Sequence, residues 1–189
     1  MRVISGSARG RRLHTPADRL VRPTGDRVKE ALFSILYSMA GPLDGMKVLD
    51  LYAGSGALGI EALSRGASHC LFVDSSRPSC QLIARNIEST GFHASARIWC
   101  KPTLRALDEL SAVGADHDLI LMDPPYGSPD LSDALQAINS GAAVGQNALV
   151  VVETSSGDEI ISEYDTLTLS DRRTYGSTAL LFFRYHRPD

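Results

Sequence analysis

Asp50-Leu51-Tyr52-Ala53-Gly54-Ser55-Gly56-Ala57-Leu58-Gly59 is the stretch that decides the fold. The apolar run Lys47-Val48-Leu49-Asp50-Leu51-Tyr52 reads as a buried strand, and the glycines lead straight into a helical pattern starting with Leu58 and Ala62. The expected unit is a strand, a tight turn and a helix N-terminus. Glycine permits turn conformations closed to other residues and takes Cβ out of a ligand's path, so this loop suits a nucleotide-like ligand. The spacing Gly54-x-Gly56-x-x-Gly59 also fits a dinucleotide fingerprint, and on its own it does not separate the users of this fold.

Two further features do. Asp50 stands ahead of the glycines at the end of the strand, where a carboxylate meets a cationic head, whereas pyrophosphate would be favoured at a bare helix N-terminus. S-adenosylmethionine carries an amino group and a sulfonium and no phosphate. The second feature is Asp123-Pro124-Pro125-Tyr126, at the end of another expected strand, His117 to Met122. No hydride-transfer chemistry calls for that tetrapeptide.

Outward from the glycines, strand and helix patterns alternate. Strands are expected at His69 to Val73, ending in Asp74, then at Ser95 to Cys100, His117 to Met122 and Ala148 to Glu153, with helices between them. Ser76 and Pro78 open one helix, which Gly91 ends, and Ser128 and Pro129 open another. Asp165 to Ser170 and Thr178 to Tyr185 suit an antiparallel terminal pair. Repeated βα units imply a Rossmann-like α/β fold, a mostly parallel sheet with helices on both faces.

Before this core comes a basic arm. Arg2-Val3-Ile4-Ser5-Gly6 and Arg12-Leu13-His14-Thr15 flank a tip at Ser7-Ala8-Arg9-Gly10-Arg11 and read as a hairpin or a pair of extended segments. A helix capped by Thr24 follows, with Val28, Leu32, Ile35 and Met39 on one face until Gly41-Pro42. We therefore expect an extension over residues 1–40, docked on a catalytic domain over residues 41–189. Seven arginines and one lysine against two aspartates between Met1 and Lys29 give a surplus of six positive charges, although the whole chain of 189 residues carries -3. Such asymmetry points to a polyanion partner at one end.

Hydrophobic content of 43% and charged content of 22% are those of an ordinary globular domain. No apolar run approaches a membrane span and Met1 to Gly6 holds no signal-peptide core, so a monomeric cytoplasmic protein without membrane contact is expected. Cys70, Cys80 and Cys100 are odd in number and form no Cys-x-x-Cys pair; we read all three as buried reduced thiols and assign no metal.

Ligands of an open parallel sheet bind beyond the carboxyl ends of its strands, where Asp50, Asp74 and Asp123 all fall. Asp74, twenty residues past Gly54, is placed to accept from both hydroxyls of a ribose. Cofactor contacts are expected from Asp50, Tyr52, Ala53, Gly54, Ser55, Gly56, Gly59, Asp74, Ser75, Cys100 and Asp123. The tetrapeptide answers a chemical problem. The lone pair of an exocyclic base amine is delocalised into the ring, so methylating it needs acceptors that engage its N–H groups. The Asp123 carboxylate and the Pro124 carbonyl are suited to that, Pro125 fixes the turn, and Tyr126 can stack on the base.

These motifs resemble the class I S-adenosylmethionine-dependent methyltransferases, and more closely the RsmD-type family that methylates N2 of one guanine, conventionally position 966, in 16S ribosomal RNA. The resemblance runs through Val3 to Gly6, Arg9-Gly10-Arg11, Arg22-Pro23-Thr24, Asp26 to Glu30, the glycine loop, Glu61 to Ala67, Asp123 to Tyr126 and Tyr175-Gly176. It implies S-adenosylmethionine as cofactor, with S-adenosylhomocysteine as product, and 16S rRNA or the small ribosomal subunit as partner. It also implies that the Arg22-Pro23-Thr24 segment sits over the methionine end of the cofactor, with Thr24 as a cofactor contact. The departure is Trp99-Cys100-Lys101, where related enzymes more often carry Asn or Asp near the adenine. Phosphate contacts are expected from Arg2, Arg9, Arg11, Arg12, Arg22 and Arg27, and base stacking from Tyr126. Rivals are an adenine-N6 DNA methyltransferase, a noncatalytic RNA-binding or assembly factor of this fold, and a nicotinamide oxidoreductase.

Overall fold

The computed structural model describes residues 1–15, 25–125, 127–158 and 164–187. Its elements follow the expected alternation: α1 (Asp26–Ala40), β1 (Lys47–Leu51), α2 (Ala57–Ser64), β2 (His69–Asp74), α3 (Arg77–Thr90), β3 (Ala96–Cys100), α4 (Thr103–Ala112), β4 (His117–Met122), α5 (Asp130–Asn139), β5 (Val144–Ser155), β6 (Leu167–Tyr175) and β7 (Thr178–Tyr185). The strands form one seven-stranded sheet in the order β3-β2-β1-β4-β5-β7-β6, with β7 antiparallel to both β5 and β6. The chain winds one way from β1 through β2 to β3, then returns to lay β4 on the other side of β1. That switch opens a crevice beyond the carboxyl ends of β1 and β4.

Alternation along the strands divides the core in two. Val48, Leu119, Leu121, Leu149, Val151, Leu180 and Phe182 face α1, α2 and α3, whereas Leu49, Leu51, Ile120, Met122, Val150, Val152, Leu181 and Phe183 face α4 and α5. The first face also takes Val3, Ala8 and Leu13 of the arm and Leu32, Phe33 and Leu36 of α1, so the arm is seated in the same core as the sheet.

What holds the arm is polar as well as apolar. An antiparallel bridge joins Arg2 to Arg12, and the Val3 amide donates to the Arg11 carbonyl at 2.9 Å, the Gly10 amide to the Val3 carbonyl at 2.9 Å and the Leu13 amide to the Met1 carbonyl at 3.1 Å, so the arm closes as a short hairpin. Glu61 of α2, fully buried, accepts from the Ile4 amide at 2.8 Å and the Ser5 amide at 3.0 Å. Lys29, also fully buried, lies 3.4 Å from that carboxylate and donates to the Arg2 carbonyl at 2.7 Å. Burial lowers the Lys29 pKa, with Glu61 pulling the other way. Arg65 closes the network on Glu61 at 2.8 Å. Gly6, at φ 83°, passes so close to α2 that a Cβ would stand 1.7 Å from the Ser64 carbonyl oxygen, so only glycine fits.

Three expectations change. The cap of α1 is Gly25, which offers no side-chain bond, and the expected cap Thr24 lies outside the described residues, as do the rest of the connector and Tyr126. β5 begins at Val144, earlier than Ala148, because a register shift between His117 and Leu119 lets Val144 pair with His117. Cys70 and Cys80 are buried, but Cys100 is exposed at the open end of the edge strand β3.

Candidate active site

At the end of β1 the chain turns on Tyr52, which takes φ 58°, and on Gly54 and Gly56, at 56° and 75°. Amides and carboxylates then lock the loop. The Asp74 carboxylate accepts from the Gly54 amide at 2.8 Å through one oxygen and from the Ser76 amide at 2.8 Å through the other. The Ala53 amide reaches the Val73 carbonyl at 3.0 Å, and Asn86 donates from α3 to the Ser55 carbonyl at 2.8 Å. Gly54, Ser55 and Asp74 remain partly open to solvent and Ser75 is exposed, so the loop presents a polar rim beside a half-open carboxylate.

Asp50 is placed by strand alternation on the α2 face, 1% exposed, with its carboxylate accepting from the Gly59 amide at 2.9 Å. Burial pushes its carboxyl well above the ordinary carboxylate range; the Gly59 amide opposes this, and the nearby Asp123 and Asp74 carboxylates add to it. The acids at the ends of β1, β2 and β4 thus feel one another. With its folded pKa above the unfolded one, Asp50 contributes stability that is fully present below the ordinary carboxylate value and is lost as pH rises through the folded one. Asp50→Asn stays neutral and still accepts from Gly59. It should raise Tm over the parent at about pH 8 and give little gain at about pH 3.5, read by thermal denaturation. An equal shift at both would contradict the buried titration.

Gly59 is corrected from a ligand contact to a packing position. A Cβ there would stand 2.3 Å from Phe72 Cε1 and 2.6 Å from Cys70 Sγ, so the residue lets α2 lie close against β2. Tyr52 also differs from expectation: its positive φ turns the ring to the α4–α5 face, among Trp99 and Leu104. Its buried hydroxyl lies near Thr103 without a well-formed hydrogen bond among the described residues, and burial pushes the phenol up.

After β4, the amide of half-buried Asp123 reaches toward the Leu51 carbonyl at 3.5 Å, which ties the tetrapeptide to the end of β1. Pro124 is buried, Pro125 is exposed, and the Pro125 carbonyl takes the Ser128 amide at 3.0 Å to close the turn. On the other flank Cys80 donates to the Asp74 carbonyl at 3.4 Å, with burial and the neighbouring Cys100 pushing its thiol up to about 12. Cys100 pairs in register with Asp74, and Lys101 lies 4.1 Å over the Trp99 ring while bonding Glu109. The unusual Trp99-Cys100-Lys101 segment therefore has a structural order of its own.

The arginines divide. Arg2, Arg9, Arg11 and Arg12 are all exposed, whereas Val3, Ala8 and Leu13 anchor the arm. Arg11 reaches the Ser89 carbonyl at 3.4 Å and Ala8 is held by Ser64, at the C-terminal ends of α3 and α2. Both helices start at the glycine loop side, so the tip arginines lie about a helix length, ~12–20 Å, from the acids. Arg27, by contrast, stands on the first turn of α1, and Arg22 lies outside the described residues. Sequence reading missed Lys29, Glu61, Ser64 and Asn86, whose partners lie far away in the chain; the apolar spacing of α1 did not single out Lys29.

An open sheet of this order, with acids at the ends of β1, β2 and β4 and β7 antiparallel between β5 and β6, defines the fold of the class I S-adenosylmethionine-dependent methyltransferases. The chain belongs to the family described as conserved hypothetical protein 95, whose model matches residues 1–184. It is 36% identical over 185 residues to the putative rRNA methyltransferase YlbH of Bacillus subtilis, covering 97% of this chain and 98% of the relative. It is 34% identical over 154 residues to ribosomal RNA small subunit methyltransferase D of Escherichia coli, covering 82% of this chain and 74% of that one. The solved structure of the putative methyltransferase yhhF from Escherichia coli superposes with a TM-score of 0.86 at 28% identity, over 100% of this chain and 99% of that chain.

Proposed function

We propose that this protein transfers the methyl group of S-adenosylmethionine to the exocyclic N2 amine of a guanine in 16S rRNA, of the position 966 type. The observation that carries the reading is the convergence of Asp50, Asp74 and Asp123 at the switch point, beside a loop whose amides are held by carboxylates. The residues fit the cofactor. The half-open Asp74 and Asp123 carboxylates make an acidic rim that suits an amine, a sulfonium and ribose hydroxyls, and would repel a pyrophosphate. S-adenosylmethionine supplies, when bound, an electrophilic methyl group.

The chain's own residues do the rest. Asp74, fixed by the Gly54 and Ser76 amides, keeps lone pairs for ribose hydroxyls, and Asp50, Tyr52, Ala53, Gly54, Ser55, Gly56, Ser75, Cys100 and Thr24 complete the proposed cofactor contacts. The Asp123 carboxylate and the Pro124 carbonyl accept from the guanine amine, which turns the nitrogen lone pair outward and stabilises the positive charge it gains as the methyl leaves the sulfonium to give S-adenosylhomocysteine. The surplus N–H proton then passes to solvent. Tyr126 stacks on the base and Pro125 holds the turn. Arg2, Arg9, Arg11, Arg12, Arg22 and Arg27 contact phosphates, the tip pair well away from the target base.

Asp74→Ala should weaken S-adenosylhomocysteine binding by about 1.5–3 kcal/mol, the usual loss for hydrogen bonds to a charged group, while the parent shows no NAD binding. Calorimetry checks both; tight NAD binding by the parent with none of S-adenosylhomocysteine would overturn the cofactor assignment. The substrate is tested by offering free 16S rRNA, a protein-bound assembly particle, assembled small subunits and duplex DNA side by side with tritiated cofactor. Label in an rRNA-containing substrate and none in DNA is the expected result. Label in DNA alone would favour adenine-N6 chemistry.

A further inference from the structure

Asp123 does not exhaust the carboxyl edge of the sheet. The first turn of α1 and the tip of the β6–β7 hairpin enclose a cavity of about 380 Å³, lined among the described residues by Arg27, Val28, Tyr175 and Gly176. The hairpin register puts this cavity on the active side: Ser155, the last residue of β5, pairs with Thr178, and Thr178 pairs with Tyr175. β5 runs parallel to β4, so the tip stands at the same end of the sheet as Asp123, across β5 and β7 from it. Strand spacing makes that about 14 Å at Tyr175, too far for one base to reach both and close enough for its neighbours along a strand.

The lining has nucleotide-binding chemistry. Tyr175 is half-buried and packs against the core cluster to which α1 contributes. Gly176, at φ 62°, turns the hairpin and leaves open space where a side chain would project. Arg27 is exposed, and no carboxylate among the described residues pairs with it, whereas Arg2 is met by Asp26 at 3.4 Å and Arg173 by Asp171 at 2.9 Å. An aromatic face beside an exposed guanidinium suits a base and its phosphate and is tolerant of base identity.

We propose that this cavity is a second nucleotide subsite, which stacks an RNA base flanking the methylated guanine on Tyr175 and holds its phosphate with Arg27. The proposal rests on the RNA methyltransferase reading above. It lets the arm, α1 and the terminal hairpin act together to hold open the single strand from which the target base is turned out. It also assigns a role to Tyr175-Gly176, which the cofactor and target-base sites leave unused.

The test uses the full chain and transcribed 16S rRNA, with binding read by anisotropy and methyl transfer by tritium incorporation. Tyr175→Leu keeps the apolar contact with the core and removes the aromatic face; Tyr175→Phe keeps both. Tyr175→Leu should raise Kd and KM for RNA by roughly fivefold to hundredfold, with kcat and S-adenosylhomocysteine affinity unchanged, and Tyr175→Phe should stay near the parent. Arg27→Ala should flatten the salt dependence of binding by about one slope unit. Ultraviolet cross-linking should join the Tyr175 peptide to a nucleotide next to the modified guanine. A Tyr175→Leu protein that binds and methylates RNA like the parent overturns the subsite, as does a cross-link to a remote nucleotide. If the parent transfers no methyl to RNA, the proposed function fails on its own, and the anisotropy comparison still decides whether Tyr175 binds RNA.

Discussion

Asp123→Ala is expected to lose at least ~10²-fold in single-turnover rate at saturating cofactor and RNA, the loss seen when one fixed partner is removed from a preorganised charge-stabilising site. The acceptor matters most as the amine nitrogen gains positive character, so the loss should fall on turnover and leave both binding steps nearly intact. Asp123→Asn keeps an acceptor and removes the charge, and its rate should fall between. The backbone argues for a clean comparison: the Asp123 amide and the Pro125 turn hold the tetrapeptide through main-chain bonds, which either substitution leaves in place. An Asp123→Ala protein with native ligand affinities and the parental rate would remove Asp123 from the chemistry.

Glu61→Ala should be the most destabilising single change. It leaves Lys29 buried without its carboxylate and takes the acceptors from the Ile4 and Ser5 amides, and breaking a buried pair in this way costs about 3–5 kcal/mol. Urea denaturation should show the loss, and hydrogen exchange should show it concentrated over Val3 to Leu13. The double variant Lys29→Met, Glu61→Leu should recover much of the global stability, since an apolar pair of similar volume replaces the charges. It should not recover protection of the Ile4 and Ser5 amides. A Glu61→Ala protein as stable as the parent, with the arm still protected, would contradict the lock described here.

Much of this fold was legible in the sequence because its strands are short apolar runs closed by punctuation. β4 and β2 begin and end where the apolar pattern and the acids Asp74 and Asp123 place them, and α3 runs from its Ser76 cap to Gly91 as expected. Two strands were less legible, each for a physical reason. The first residues of β5, Gly145 to Asn147, carry no apolar alternation because a register shift against β4 absorbs them. The second half of β6 is polar, Ser170 to Thr174, because as the edge strand it is covered on one side only by β7.

The site was half legible. The spacing of Asp50, the glycines, Asp74 and Asp123 locates the crevice, since a strand end is a local property. Roles within it depended on partners distant in the chain. Gly59 could not be told from a ligand-facing glycine until Phe72 and Cys70 were seen against it. The Lys29–Glu61 lock joins residues of no shared motif, and the arm's arginines revealed a charge but not that Arg9 and Arg11 sit at the far ends of α2 and α3. Thr24, Arg22 and Tyr126 lie outside the described residues, so their assignments remain those of the sequence and, for Thr24, of the family resemblance.

The central claim is the identity of the methylated atom. The direct measurement is to incubate the parent and Asp123→Ala proteins with methyl-labelled S-adenosylmethionine and rRNA-containing substrates, digest the RNA to nucleosides and identify the labelled product by mass spectrometry. The account predicts label in N2-methylguanosine at one 16S position with the parent, and at least ~10²-fold less with Asp123→Ala under single-turnover conditions. Label in a methylated adenosine, or no labelled nucleoside from a parent protein that binds both ligands, would contradict it.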